Sequence, residues 1–587
     1  MRSYTWYVSC SPRSPEKIRP ELTELAKLDG CNWAEKNQDG DLVTQVRFAE
    51  LLKELPTFEG SISESDPAFS ARDRLAPMKT YGFAYVNSNN ILKITPAGYQ
   101  LIQGVRIQEL FLKQLLKWQY PSWQHGGHPR TRHNYPPVET TNVFPFVETL
   151  RACYELDGLK KEDIAIYLLP LTNRENINET INKIRELRVN INSFSGRERF
   201  DFLANTHKDY FREIYSEQIA TGNFRTRESS TTTVDDFLKK KINNSMDVAD
   251  AAIRYFRASG LFTISSDYRR IIVSPLYRTE AERILNEIDF ELSDLYTDVD
   301  RFYEYMGNPE LPTLPWETKE ELMTKSIQLG AQKEEVERMQ VVEMKTYIEQ
   351  SLIQKKQEKL REYMIKAQEE DEVVDIINTY VKIFDRDVVD RPLFLEWNTW
   401  RALVAINDCE EPRPNFTLDD ELKPFSIAPG NKADMEIQYN NKFVVLVEVT
   451  LSGGQRQYDT EGEPVTRHIG KFQKMESEKD NPLDVYGLFL APSINPATRN
   501  YFYVHLKYHE VPEFGGLLKI IPLTTQQFIY IFRFIKNLKC FNRNILRELL
   551  DRIVALKDET EDGNEWVQKI AETIEQWKSQ WSKDNIA

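Results

Sequence analysis

Short apolar runs at residues 81–86 (Tyr-Gly-Phe-Ala-Tyr-Val) and 91–94 (Ile-Leu-Lys-Ile) flank four polar residues, Asn-Ser-Asn-Asn. The pattern predicts a strand, a turn and a returning strand, since asparagine tolerates the positive φ of a tight turn. Thr95-Pro-Ala-Gly98 then opens a helix. Threonine is a good N-cap, and proline suits the first helical position. The order recurs downstream. Residues 247–257 carry a helical period, and strands follow at 260–264 and 270–274 around a turn at 265–268. Pro275 then precedes a helix over 278–285. Between the two units, residues 160–187 read as mostly helical with a break at Pro170, and 225–235, rich in Ser and Thr, as a loop.

From residue 316 to 391 there is no proline and one glycine, Gly330. Charged residues interleave with Met339, Val342, Met344, Ile348, Leu352 and Ile353. That predicts a long charged helix or helical hairpin. After Pro392 the pattern changes. A helix over 393–407 leads to strands at 434–439 and 443–449, a loop at Gly453 and Gly454, and a helix near 469–474. Strands at 485–491 and 518–521, a helix from Thr524 and a charged helical tail after Arg543 complete the chain. Helices alternating with strands predict an α/β core with a mixed sheet.

Each hairpin pressed between helices resembles the wing of a winged helix-turn-helix module. Such modules bind DNA or act as protein spacers, and fold alone does not decide which. The fold class expected is therefore multidomain α+β. Helical winged-helix modules occupy residues 1–140 and 141–300, a helical linker 301–391, and an α/β domain 392–587.

Composition narrows the partners little. No apolar run is long enough to span a bilayer, and residues 1–8 lack the apolar core of a signal peptide. Five scattered cysteines, without a CxxC pair, suit a reducing cytoplasm. The net charge of −15 weighs against nucleic acid. Yet residues 99–135 hold Arg106, Lys113, Lys117, Arg130 and Arg132 against a single acid, Glu109. Binding depends on where charge lies, not on its sum.

The chemistry concentrates in Asp434-Met-Glu-Ile-Gln-Tyr-Asn-Asn-Lys-Phe-Val-Val-Leu-Val-Glu448-Val-Thr450. One carboxylate sits on each strand of a hairpin, and Glu448 ends an apolar run. A buried, unpaired carboxylate is costly. A divalent cation with oxygen ligands is the simplest compensation for converging acids. Asp434 and Glu448, with the Val449 carbonyl, are the candidate Mg²⁺ ligands. Glu396 on the preceding helix and Glu461 downstream are further candidates. The plainer alternative is a strand pair with solvated acids, with Glu396 an exposed helix acid beside Trp397. A nuclease core of this kind is usually written Pro-Asp…(Asp/Glu)-x-Lys. Here Ala433 stands where proline often does, and Thr450 stands in place of the lysine. His468 or Lys471 could restore the cationic role, or Arg467 and His468 could simply cap the next helix.

Several longer words in the chain carry a family resemblance. They are Trp6-Tyr-Val-Ser-Cys-Ser-Pro-Arg-Ser-Pro-Glu-Lys17, Phe69-Ser-Ala-Arg-Asp-Arg-Leu-Ala-Pro-Met-Lys-Thr-Tyr-Gly-Phe83 and Phe111-Leu-Lys-Gln-Leu-Leu-Lys-Trp-Gln-Tyr-Pro-Ser122. Residues 247–260, Glu396-Trp-Asn-Thr-Trp400, Asp434-Met-Glu-Ile437, Glu448-Val-Thr450 and Glu463-Pro-Val-Thr-Arg-His468 belong with them. Together they resemble the AlwI/BstNBI family of type IIS restriction and nicking endonucleases. The resemblance implies amino-terminal winged-helix recognition, a helical linker and a carboxy-terminal nuclease of the PD-(D/E)xK kind. It implies a bacterial cytoplasmic enzyme that cleaves duplex DNA with Mg²⁺ a few base pairs outside a short asymmetric site. Its acidic active site falls at Glu396, Asp434, Glu448 and Glu461, and the Glu-x-Thr departure is shared. The gap between the two strand acids is one residue longer than in nicking relatives, which an insertion near Asn440-Asn441 absorbs.

Arg72, Arg74 and Lys79 lie just ahead of the first hairpin, where a recognition helix is expected. Arginine is the usual bidentate reader of guanine. Lys113, Lys117, Arg130 and Arg132, interleaved with Trp118, Tyr120 and Trp123, suit phosphate contacts, although core packing is the favoured role for Trp118. One nuclease domain cuts one strand at a time. The readings left open are therefore a double-strand cutter using a homodimer or a small second nuclease subunit, and a strand-specific nickase. A non-catalytic winged-helix regulator and an RNA-directed nuclease are the alternatives from other classes.

Overall fold

The computed structural model describes residues 5–56, 58, 62–127, 138–226, 230–231, 233–439, 442–538 and 545–584. It divides into two compact units, Met1–Ile353 and Gln354–Ala587.

The first unit is mainly helical. Strands β1 (Ala84–Val86) and β2 (Leu92–Ile94) form the first expected hairpin, with Tyr85 opposite Lys93. Thr95 caps helix Pro96–Gln103, its Oγ1 accepting the Gly98 N–H at 3.0 Å. A Cβ on Gly98 would lie 2.1 Å from the Phe83 carbonyl oxygen, so only glycine lets the helix meet the hairpin. Strands β3 (Phe262–Ile264) and β4 (Ile271–Val273) form the second hairpin. The helix ahead of it, Val234–Arg257, is longer than the pattern predicts. The elements around both hairpins share one apolar core. Trp6 meets Trp118 at 5.7 Å and Phe256 at 6.3 Å, and Tyr81 stacks on Tyr255 at 4.9 Å. No break in that core falls at residue 140.

The stretch expected to be one long helix or a hairpin is four helices: Lys319–Gln328, Lys333–Val336, Val341–Lys366 and Glu370–Phe384. Gly330, at φ +107, marks the first break. Nor is this stretch an independent linker. In the first unit, Lys345 pairs with Glu317 and, at 3.1 Å, with Glu109, while Lys113 meets Glu317 at 2.9 Å. In the second unit, buried Arg401 reaches Glu372 at 3.0 Å, Asp375 at 2.7 Å and the Tyr363 hydroxyl at 2.7 Å. Charged residues of this stretch thus supply internal ion pairs.

The second unit is built on a mixed five-stranded sheet. Its strands are β5 (Glu411–Pro414), β8 (Met435–Tyr439), β9 (Phe443–Val449), β10 (Asp484–Ala491) and β11 (Ile520–Thr524), in the order β11-β10-β9-β8-β5. β9, β10 and β11 run parallel, with helices Glu463–Ser477 and Pro496–Lys507 in the crossovers. β8 is antiparallel to β9, and β5 is antiparallel to β8. β6 (Thr417–Leu418) and β7 (Pro424–Ser426) form a separate small hairpin. The pattern did not reveal β5, because Pro412 and Pro414 read against a strand; at a sheet edge they are tolerated. Helix Arg391–Ile406, capped by Asp390, is buried along most of its length. Among the described residues no helix is long and apolar enough to cross a membrane.

Replacing Arg401 by alanine removes a buried guanidinium that joins two acids and a hydroxyl. It should cost about 1–3 kcal/mol of stability, read as a lower urea midpoint for the transition of this unit.

Candidate active site

The β8–β9 register pairs Met435 with Val447. One step further it sets Asp434 opposite Glu448. The burial pattern explains why an acid ends β9: residues 443–447 are all buried between the packed layers, and Glu448 emerges where they end, still only 8% exposed. The Val449 N–H donates to Asp434 Oδ2 at 2.7 Å, fixing that carboxylate across the strands. Asn415 stiffens the approach: its Nδ2 donates to the Ala433 carbonyl at 2.8 Å and its backbone N–H to the Asp434 carbonyl at 3.0 Å.

Glu396 joins them from helix Arg391–Ile406. It is 7% exposed, not the exposed helix acid of the plainer reading, and Oε2 accepts the Ala428 N–H at 3.1 Å. Glu461, on the turn Tyr458–Gly462, accepts the Thr450 hydroxyl at 2.8 Å. The residue in the lysine position of the generic motif thus holds an acid. His468, on helix Glu463–Ser477, places Nδ1 2.7 Å from Glu448 Oε1.

The electrostatics are those of acids crowded together away from water. Burial, then the neighbouring Glu448, raises Asp434 well above the ordinary carboxylate range. Burial, then Glu461, raises Glu448, with Arg467 opposing. Burial, then Asp434, does the same to Glu396. His468 is pushed down to about 4 by burial first and Arg467 second. That shift favours a neutral imidazole beside Glu448.

Opposed oxygen donors whose charges repel suit a hard divalent cation. Among the described residues no three His, Cys, Asp or Glu side chains form a ready cage. A cation here would take Asp434, Glu448, the Val449 carbonyl and waters, a sparse set that Mg²⁺ accepts. The hairpin turn at Asn440-Asn441, and with it the proposed insertion, lies outside the described residues.

The basic residues proposed for DNA contact divide sharply. Arg72 is exposed, paired with Asp66 at 2.5 Å and with Gln45 at 3.2 Å. Arg74 is buried against Glu21 at 2.8 Å and over the Phe58 ring, so it reads no base. Lys79 is half-buried and pushed down to about 8 by burial. Lys113 and Lys117 are each 1% exposed and serve the core. Lys113 binds Glu317 and the Glu310 carbonyl, and Lys117 binds the carbonyls of Met306 at 2.7 Å and Asn308 at 2.6 Å. Their helix, Ile107–Lys117, is buried from Leu110 onwards. Lysines with no wet face must find internal acceptors, and that apolar wrapping was the signal available in the sequence. Trp118 is core, as favoured. Arg130 and Arg132 lie outside the described residues.

The AlwI restriction endonuclease family model matches residues 79–531. No curated protein matches the chain. Among solved structures, the small subunit of the heterodimeric restriction endonuclease R.BspD6I is 28% identical, with 34% of this chain and 97% of that one covered at a TM-score of 0.28. The BpuJ1 endonuclease binding domain, solved with modified DNA, is 13% identical, with 50% and 92% covered at 0.31. At those TM-scores neither likeness carries an argument.

Two outcomes follow from the geometry. Lys117→Met removes the buried ammonium's hydrogen bonds to core carbonyls and should cost about 1–3 kcal/mol, while the salt dependence of DNA binding stays as in the wild type. Because the folded state holds protons on Asp434 and Glu448 that the unfolded state has released, metal-free stability falls as pH rises above the ordinary carboxylate range. Glu448→Gln should flatten that fall, read as thermal midpoints at pH 5 and pH 8 in chelator.

Proposed function

Because the chain belongs to the AlwI restriction endonuclease family, we propose that it is a type IIS DNA endonuclease. On this reading it binds a short asymmetric duplex site and hydrolyses a phosphodiester bond a few base pairs outside it with Mg²⁺. The observation that carries the reading is Asp434 facing Glu448 at the end of a buried strand, with a backbone N–H fixed on one and an imidazole on the other.

A divalent cation held there would polarise the phosphate and lower the pKa of an attacking water. The chain's own groups prepare the site. The Val449 N–H, His468 and Ala428 N–H orient Asp434, Glu448 and Glu396 before substrate arrives. With a cation bound Glu448 would ionise, and a proton at His468 Nδ1 would then be donated to its Oε1. Thr450 holds Glu461 by Oε1, leaving Oε2 to accept from a water. Fixed groups of this kind lower the reorganisation needed in the transition state. We assign the core to the PD-(D/E)xK kind, with the lysine position altered, and the two helix–hairpin–helix units to winged-helix recognition.

One such group of acids cuts one strand. Cleavage of both strands would need a second nuclease domain from another copy or a small partner subunit, and without one the product is a nick.

Asp434→Ala and Glu448→Ala should each abolish cleavage of plasmid in Mg²⁺ while specific binding, measured by gel shift, stays near the wild-type value. Supercoiled plasmid surviving incubation with the wild-type protein would instead mean a regulator. Binding should weaken steeply with salt as counterions are released.

A further inference from the structure

The reaction proposed above needs a positive charge beside the phosphate, and three of the positions available for it are accounted for otherwise. Thr450 replaces the motif lysine, and its hydroxyl is committed to Glu461 at 2.8 Å and to the Ser452 N–H at 3.0 Å. His468 is engaged with Glu448, its Nδ1 2.7 Å from Oε1. Lys471, three residues further along the same helix, is exposed, and a hydrated ammonium on a flexible stem is not preset in one orientation.

Arg467 differs from all three. Its Nε donates to Glu463 Oε1 at 2.9 Å, and its Nη1 donates to Asn431 Oδ1. Asn431 lies in the turn three residues before Asp434, at φ +67, and Glu463 lies two residues after Glu461. The guanidinium is therefore tied at once to the segment leading into Asp434 and to the helix that follows Glu461. It adjoins His468, the residue in contact with Glu448. The side chain remains 27% exposed, so a substrate can reach it.

We propose that Arg467 is the phosphate-binding cation of this active site, taking on from the helix the role that the motif lysine has on the strand. The proposal rests on the endonuclease reading given above. Two bonds orient the guanidinium, and neither of them uses Nη2. A planar fork held in one orientation matches a phosphate's oxygens better than a mobile ammonium does. A cation fixed in place also needs no reorganisation as charge builds on the phosphate.

Single-turnover cleavage of a site-containing duplex, with binding, Mg²⁺ activation and thermal midpoint measured alongside, tests this on the full chain. Arg467→Ala should slow cleavage by about 10²–10³-fold. The half-activating Mg²⁺ concentration, the site affinity and the thermal midpoint should stay close to wild type. Arg467→Lys should recover part of the rate, and Lys471→Ala should cut within a few-fold of wild type. If Arg467→Ala cuts at the wild-type rate, or loses activity only in step with the midpoint or with Mg²⁺ activation, the assignment is overturned. Asp434→Ala separates the two readings. Should it cut normally, the endonuclease site itself is wrong; should it be dead while Arg467→Ala is active, only the role of Arg467 falls.

Discussion

The constraint on which the second unit depends is the mutual repulsion of carboxylates that the fold has taken out of water. Asp434 and Glu448 are brought opposite each other by an antiparallel register, and Glu396 is added from a buried helix. In water such acids would ionise and separate. Here each is held by a directed hydrogen bond, and each is driven towards its protonated form. That arrangement costs free energy in the folded state. The sheet, the capped helix and the donors at Val449, Ala428 and His468 sustain it, as expected of a site organised around chemistry.

Much of this was legible because the signals were local. Both small hairpins, the threonine cap, the buried strand ending in Glu448 and the helix bearing Glu396 follow from periodicity and turn chemistry over a few residues. What was hidden depended on distant partners. β5 escaped because prolines mask an edge strand. The Ala428 N–H that holds Glu396 comes from a loop without any pattern, and the pairing of Thr450 with Glu461 needed the turn at Tyr458–Gly462.

Charge was the least readable property. The basic stretch before residue 120 looked like a nucleic-acid face, yet Arg74, Lys113 and Lys117 spend their charges on carboxylates and carbonyls inside the first unit. The stretch after residue 316 looked like a charged helical spacer, yet Lys345, Glu372 and Asp375 are partners in internal ion pairs. In both cases the sequence shows that a charge is present but not whether another segment folds over it. Long aliphatic stems let such residues join a core while their ends find a partner.

The prolines in the outermost strands have a consequence for assembly. Asn415 turns its N–H inward to Asp434, so by alternation Pro412 and Pro414 occupy the outward positions of β5. At the opposite margin the Gly487–Lys519 bond places Pro522 outward on β11. The β5 rim thus lacks two outward donors and the β11 rim one, which blunts both margins against an incoming strand. Edge-to-edge extension of this sheet by a second copy is disfavoured, and helices and loops are left as the surfaces better suited to a reversible contact.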